Sequence, residues 1–279
     1  MRILVLGGSG LLGTQVLREF SSYDVDAPSS TELDITDPTA VATIAQGDWS
    51  AVINCAAFTG VDLAETERDA AYDLNALAPG YVATACALAD VPMVYISTDF
   101  VFDGGKGAEY TEEDVRAPLG VYGETKSAGE DAVLSAGADA YILRTAWLFG
   151  PDGKCFPRTI LNAYRAGKNL KVVSDQFGSP TSTRWLASVI RRIVEQRPEP
   201  GIYHAAGGPT MSWFDLAGAT LRACEPAFDP TRLAPCGTEE YPTPAARPRF
   251  SALNCEKLGA AGLAPPFELR ADLRMLAEG

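Results

Sequence analysis

The N-terminus imposes the strongest constraint on the fold. Residues 2–7, Arg2-Ile3-Leu4-Val5-Leu6-Gly7, form a short apolar run that leads directly into Gly7-Gly8-Ser9-Gly10-Leu11-Leu12-Gly13. A run that is apolar on both faces suits a central parallel strand with helices packed above and below it. Apolar residues at 12, 16, 17 and 20 then predict a helix over 11–20, and a second short strand near 23–27 precedes the break Pro28-Ser29-Ser30. Strand, glycine-rich turn and helix N-terminus in that order make a phosphate cradle. Glycines there permit the tight turn, the close approach of a pyrophosphate and close packing of helix on strand. The glycines fit both Gly8-x-Gly10-x-x-Gly13 and Gly7-x-x-Gly10-x-x-Gly13, and either spacing predicts a dinucleotide site.

The same alternation continues. Strands are expected at 51–57, 93–97 and 140–145, with helices at 64–90 (broken near Pro79) and 122–134 between them. Such a β/α succession predicts an α/β fold, a Rossmann-type doubly wound parallel sheet. Residues 1–150 are assigned to this dinucleotide-binding domain. After Gly150-Pro151-Asp152-Gly153 come a helix at 156–166, a strand at 170–174, a helix at 184–196 and a strand at 201–205, the two strands being expected to rejoin the main sheet. The rest of 151–279, richer in proline, is expected to form a smaller substrate-binding lobe over the C-terminal edge of the sheet, where such sheets bind ligands.

Charge and composition remove several classes of function. Lys and Arg number 23 against 36 Asp and Glu, a net charge of -13, which repels polyanions and argues against nucleic acid as a partner. No apolar stretch approaches the roughly 18 residues that a membrane span needs, and no signal-peptide pattern follows Met1, so a cytoplasmic protein without a membrane partner is expected. The cysteines at 55, 86, 155, 224, 236 and 255 lack zinc-type spacing and read as reduced, mostly buried thiols. The single histidine, His204, reads as a strand-end residue, and no metal site is expected.

Two further motifs carry chemistry. Tyr122-Gly123-Glu124-Thr125-Lys126 opens a predicted helix, so Tyr122 and Lys126 share one face at i and i+4. Tyrosine titrates near 10, and a nearby ammonium is expected to lower that value and make the phenol a usable proton donor. Ser97-Thr98-Asp99 follows a strand at the ligand-facing edge, where a hydroxyl can hydrogen-bond both a substrate carbonyl and the tyrosine. Alone, Tyr-x-x-x-Lys is ordinarily a solvated helix face. In company with the glycine loop and Thr98, chance is a poor account of it.

With these motifs in place the chain resembles the dTDP-4-dehydrorhamnose reductase family of the extended short-chain dehydrogenase/reductase superfamily, whose glycine spacing is that of Gly7, Gly10 and Gly13. The likeness runs through Leu33-Asp34-Ile35-Thr36-Asp37, Asn54-Cys55-Ala56-Ala57-Phe58-Thr59-Gly60-Val61-Asp62, Ser97 to Gly104, Pro118 to Lys126, Leu143 to Phe149, Ser174 to Thr181 and Tyr241 to Ala245. It implies NAD(P)H-dependent reduction of the C4 ketone of a dTDP-4-keto-6-deoxyhexose to dTDP-L-rhamnose. Tyr122 is then the general acid, Lys126 tunes it and anchors the nicotinamide ribose, and Thr98 orients the carbonyl. It further implies sugar contacts for Val61, Asp99, Phe100 and Trp147. On the cofactor side it implies pyrophosphate contacts for Gly7, Gly10 and Leu11, with Gly13 completing the loop, an adenine site at Asp34 and Ile35, and a ribose and nicotinamide path along Ala56 and Ala57.

Asp34 is expected after the third strand. The ribose selector is expected instead at the end of strand two, at Ser29 and Ser30, where the family often carries an Asp-Arg pair. Their replacement favours NADPH, with NADH as the second cofactor. Phe100 and Phe58 stand where the family commonly has tyrosine, which makes that side of the pocket more apolar and leaves open a related 4-ketoreductase, including one that forms a 6-deoxytalose. Arg184, Arg247 and Arg249 are candidates for a diphosphate, Arg184 equally for a surface salt bridge. The resemblance extends to a regulatory subunit, the β subunit of methionine adenosyltransferase, which tends to lack the Thr98 and Trp147 equivalents. The assembly expected, if any, is a homodimer.

Overall fold

In the computed structural model, which describes residues 1–278, the first strand belongs to a six-stranded parallel sheet, second from one edge. The elements follow in the order β1 (Arg2–Leu6), α1 (Leu11–Glu19), β2 (Asp24–Asp26), α2 (Pro38–Val41), β3 (Ala51–Asn54), α3 (Val61–Ala64), α4 (Arg68–Tyr72), α5 (Ala78–Ala89), β4 (Met93–Thr98), α6 (Val121–Ser135) and β5 (Ala140–Thr145). Then come β6 (Leu148–Phe149), α7 (Phe156–Arg165), β7 (Leu170–Val173), β8 (Phe177–Gly178), β9 (Thr181–Ser182), α8 (Thr183–Gln196), β10 (Gly201–His204), β11 (Met211–Ser212), α9 (Trp213–Cys224), β12 (Leu233–Cys236), α10 (Glu256–Ala260) and α11 (Leu269–Glu278). The strand order is β10-β5-β4-β3-β1-β2. The chain moves outward from β1 to β2, then crosses to β3 on the other side, so the topological switch point lies between β1 and β3, where ligands of such sheets bind.

The central strands read as unbroken apolar runs because both their faces are covered. On one face α1 and α8 bury Val5, Val16, Ile53, Leu186 and Ile190. On the other, α5 and α6 cover Leu4, Val52, Val82, Met93 and Ile142. Each such side chain taken fully out of water contributes roughly 2 kcal/mol, which holds the sheet edge still enough to present a site.

Three expectations are corrected. The 170–174 strand does not rejoin the main sheet: β7 pairs in parallel with β12, Leu170 opposite Leu233, in the small lobe, whereas β10 extends the main sheet beside β5. The helix expected over 64–90 is three pieces. Glu65-Thr66-Glu67 separates α3 from α4, and a π-turn over Asp73–Leu77 precedes α5, which takes Pro79 in its first turn, where a missing N–H costs least. Asp34 precedes β3 rather than following it, since β2 spans only three residues and the chain then turns back through Ser29 to Asp37.

The smaller lobe builds its own core from α7, α9 and α11 around Leu161, Leu216, Leu221 and Leu273. It is not a contiguous block after residue 150, because α8 packs on α1 and α10 returns to β10.

Candidate active site

The C-terminal ends of the parallel strands open into one cleft of about 920 Å³. That is the upper end of the usual range for ligand pockets and suits an extended ligand. At its switch-point end lie Gly7, Gly10 and Leu11. Gly7 adopts φ +77°, and a Cβ on it would stand 2.6 Å from the Ala56 backbone nitrogen, so only glycine lets β1 and β3 close together here. Gly13 does not line the cleft: a Cβ there would meet the Gly7 carbonyl oxygen at 2.1 Å, so it serves the packing of α1 on the loop. The α1 N-terminus has no side-chain cap and no acidic residue in its first turn, leaving its N–H groups and positive dipole end for an anion. At the strand-end floor the Thr145 hydroxyl is buried without a hydrogen-bond partner among the described residues, a polar group suited to a ligand amide. These features fit a dinucleotide.

Ser29, Ser30, Asp34 and Ile35 line the cleft on the β2 side of the glycine loop, and Ala56 and Ala57, after β3, line it on the other side. Asp34 accepts from the backbone N–H and hydroxyl of Thr36, which holds its carboxyl below the usual range. Sequence reasoning found no carboxylate at the end of β2, but the fold supplies one. Glu32 curls back to accept from the N–H and hydroxyl of Ser29, both at 2.8 Å, and lines the cleft.

Thr98 ends β4, while Tyr122 and Lys126 lie on one face of α6 along the same wall. Tyr122 is pushed up to about 12, by burial above all, with Thr98 opposing and Asp99 adding to the rise. The expectation that Lys126 lowers it is therefore corrected. The ammonium is instead engaged by β4, donating to the Tyr95 hydroxyl at 2.8 Å and the Ile96 carbonyl at 2.7 Å. Burial brings Lys126 itself down to about 7 against the opposing charge of Glu130. Asp99 is buried and raised to about 6 by desolvation, although Ser251 and Thr98 donate to it at 2.5 and 3.1 Å.

Val61, Phe100 and Trp147 complete this half, Phe100 lying edge-on to Tyr122 with centroids 5.7 Å apart. Trp147 holds a left-handed backbone, φ 48°, and stacks on Trp213 at 3.5 Å, against which Phe156 also tilts. Trp213 and Lys154 line the cleft and were missed. Trp213 was findable as the aromatic first residue of α9, just after the Ser212 cap, whereas no local signal marks Lys154. Of the arginine candidates only Arg247 lines the cleft, steadied by Asp62 at 2.9 Å. Arg184 lies beside Asp272 of α11, and Arg249 is off the cleft wall. Phe58 packs beside Tyr122 rather than lining the cleft. His204 is a core residue, fully buried and brought down to about 3 by burial and Arg144.

A family model described as RmlD substrate binding domain matches residues 1–278. A dTDP-4-dehydrorhamnose reductase from Mycolicibacterium smegmatis is 41% identical over 98% of this chain and 84% of its own length. The chain belongs to the dTDP-4-dehydrorhamnose reductase family. Solved members of the family share its architecture. A dTDP-4-dehydrorhamnose reductase from Clostridium acetobutylicum superposes with a TM-score of 0.93 at 36% identity, covering 100% of this chain and 99% of that one. Another from Bacillus anthracis, in complex with NADP, gives 0.93 at 34% over the same shares. Among the described residues no helix is long and apolar enough to cross a membrane, and no group of three or more His, Cys, Asp or Glu could hold a metal ion.

Proposed function

We propose that this chain is the NADPH-dependent reductase, accepting NADH as well, that converts dTDP-4-dehydro-L-rhamnose to dTDP-L-rhamnose. The observation that carries the reading is that Thr98, Tyr122 and Lys126 line the same cleft as the glycine cradle and the Trp147–Trp213 stack. The reduced nicotinamide, when bound, supplies the hydride. What the chain supplies is a proton and a fixed geometry. Tyr122, held up at about 12, keeps its phenol proton at neutral pH and is therefore loaded to protonate an oxygen that becomes alkoxide. Thr98 orients the ketone, and its own hydroxyl is fixed by the Phe100 N–H at 3.2 Å.

Lys126 anchors the nicotinamide ribose, Gly7, Gly10 and Leu11 the pyrophosphate, Asp34 and Ile35 the adenine, and Ser29 and Ser30 the adenosine ribose. Ala56 and Ala57 leave the path between open. Val61, Asp99, Phe100 and Trp147 frame the sugar, Phe100 offering no hydroxyl, so that subsite favours the deoxygenated edge of a 6-deoxyhexose. The intact set of Thr98, Tyr122, Lys126 and Trp147 supports an enzyme over a binding subunit.

The test is oxidation of NADPH and NADH at 340 nm with dTDP-4-keto-6-deoxyglucose, with and without a 3,5-epimerase. Turnover should require the epimerase and fall by roughly 10²–10⁴ in Tyr122→Phe, the usual loss of a general acid. Turnover without the epimerase reassigns the substrate to another 4-ketosugar, and binding of both cofactors without turnover points to a regulatory subunit.

A further inference from the structure

Lys126 is buried, and what its ammonium rests on is as specific as its place on α6. It donates to the Tyr95 hydroxyl at 2.8 Å and lies 4.2 Å from the centre of the Tyr95 ring. Tyr95, fully buried, donates its own hydroxyl hydrogen bond to the backbone carbonyl of Asn75 at 3.1 Å.

Two features of the sequence, unrelated to one another along the chain, make this arrangement feasible. In an α-helix the Asn75 carbonyl would accept from the N–H of residue 79, but residue 79 is Pro and has none, and the chain passes through the π-turn at this point. The carbonyl thus lacks that donor, and the Tyr95 hydroxyl serves it. On the facing helix, Gly129 leaves the room: a Cβ there would lie 2.1 Å from the Asn75 oxygen and 2.6 Å from the Tyr95 hydroxyl oxygen. Glycine inside a helix costs about 1 kcal/mol relative to alanine, and here it clears the space for this hydrogen bond.

The Asn75 side chain meanwhile accepts from the Phe58 N–H at 2.8 Å and donates to the Phe58 carbonyl at 3.0 Å. Phe58 directly follows the cleft-lining Ala56 and Ala57. Asn75 also donates to Thr125, the neighbour of Lys126, at 3.2 Å.

We propose that Tyr95, its hydroxyl held by the Asn75 carbonyl that Pro79 leaves without a donor and given room by Gly129, is the positioning residue for Lys126. The inference rests on the reductase reading and deepens it. Tyr95 does not itself line the cleft; it acts through Lys126, which does. Charged and titratable groups facing the ammonium are Glu130 from α6, Cys55 after β3 and Tyr95 from β4, with Tyr122 of α6 facing Tyr95 and Arg144 of β5 reaching the ammonium through its pair with Glu130.

The experiment measures dinucleotide dissociation constants by tryptophan quenching at pH 6 and pH 8, alongside kcat and Tm, for the wild type, Tyr95→Phe and Gly129→Ala. Tyr95→Phe keeps the ring and removes one acceptor from the ammonium, so Lys126 should lose its proton at lower pH. Binding should weaken by about tenfold at pH 8, the scale of one hydrogen bond to a charged group, and by less than about twofold at pH 6. Gly129→Ala, which leaves every polar group in place but pushes Asn75 and Tyr95 aside, should move the pH profile in the same direction. Should Gly129→Ala fail to fold, Tyr95→Phe decides. A profile for Tyr95→Phe that superimposes on the wild type overturns the proposal. So does an equal loss at both pH values with a lowered Tm, which would be packing alone. Failure of the reductase reading is distinguishable, since the wild type would then not turn over at either pH.

Discussion

Asp99 is a buried carboxylate whose burial cost should be recoverable by one isosteric change. It begins the turn that follows Thr98, with 2% of its surface exposed, and is raised from 3.8 to about 6 by desolvation, which two hydroxyl donors only partly offset. At 1.36 kcal/mol per pH unit, this difference amounts to about 3 kcal/mol against the folded state at pH 8. The sign follows from proton linkage. Folded Asp99 holds its proton more tightly than the unfolded chain does, so stability falls as pH rises from 3.8 to about 6 and the full cost persists above that. Asp99→Asn keeps the shape, and the Ser251 and Thr98 hydroxyls can turn to serve an amide. The variant should therefore be more stable than the wild type by about 3 kcal/mol at pH 8 and by roughly half that at pH 5, measured by urea denaturation at both pH values. Its kcat/KM should fall, as expected where a site sacrifices stability for function. A gap below about 1 kcal/mol at pH 8, or one that does not narrow toward pH 5, refutes the reasoning.

Glu32 bears on cofactor choice: removing its carboxylate in Glu32→Ala takes away a group that repels a 2′-phosphate, so kcat/KM for NADPH relative to NADH should rise about tenfold, as read at 340 nm. Lys126, lowered from 10.5 to about 7 by burial, binds protons less tightly folded than unfolded, so its contribution to stability increases as pH rises from about 7 toward 10.5. Between pH 6.5 and 9 the wild type should gain about 2–3 kcal/mol relative to Lys126→Met in urea titrations, and a constant difference would contradict this. Glu130, fully buried, accepts from Arg144 at 2.9 and 2.7 Å and from Ser97 at 2.5 Å. Glu130→Ala leaves the Arg144 cation buried without its partner and should cost about 3–5 kcal/mol by denaturation.

The parts of this molecule legible in the sequence are those whose chemistry is local. The strand, glycine turn and helix at residues 2–19 announce themselves because phosphate binding needs contiguous backbone. Tyr122 and Lys126 do so because one helical turn sets their relation, and Thr98 because it ends a strand. The small lobe was harder to read. β7 is four residues whose partner lies 63 positions away at β12, and nothing in Leu170 to Val173 distinguishes that pairing from an addition to the main sheet. Glu32 was half legible: Ser29-Ser30-Thr31-Glu32 has the Ser-x-x-Glu spacing of a reciprocal side-chain cap, which would have brought the carboxylate back to the serine.

Electrostatics were the least legible, for a physical reason. The four-residue spacing of Tyr122 and Lys126 suggests mutual tuning, but a pKa follows the total environment, and here burial outweighs the neighbour for both groups. Burial is a sum over every element that covers the site, and no motif contains it. The same holds for what supports Lys126. Pro79, Tyr95 and Gly129 each have an ordinary explanation in their own segment, as a helix start, a core aromatic and a small residue at a close helix contact. Only when the fold brings the Asn75 carbonyl, the Tyr95 hydroxyl and the space beside Gly129 together does it emerge that one residue removes a donor, the second replaces it and the third leaves room for the exchange.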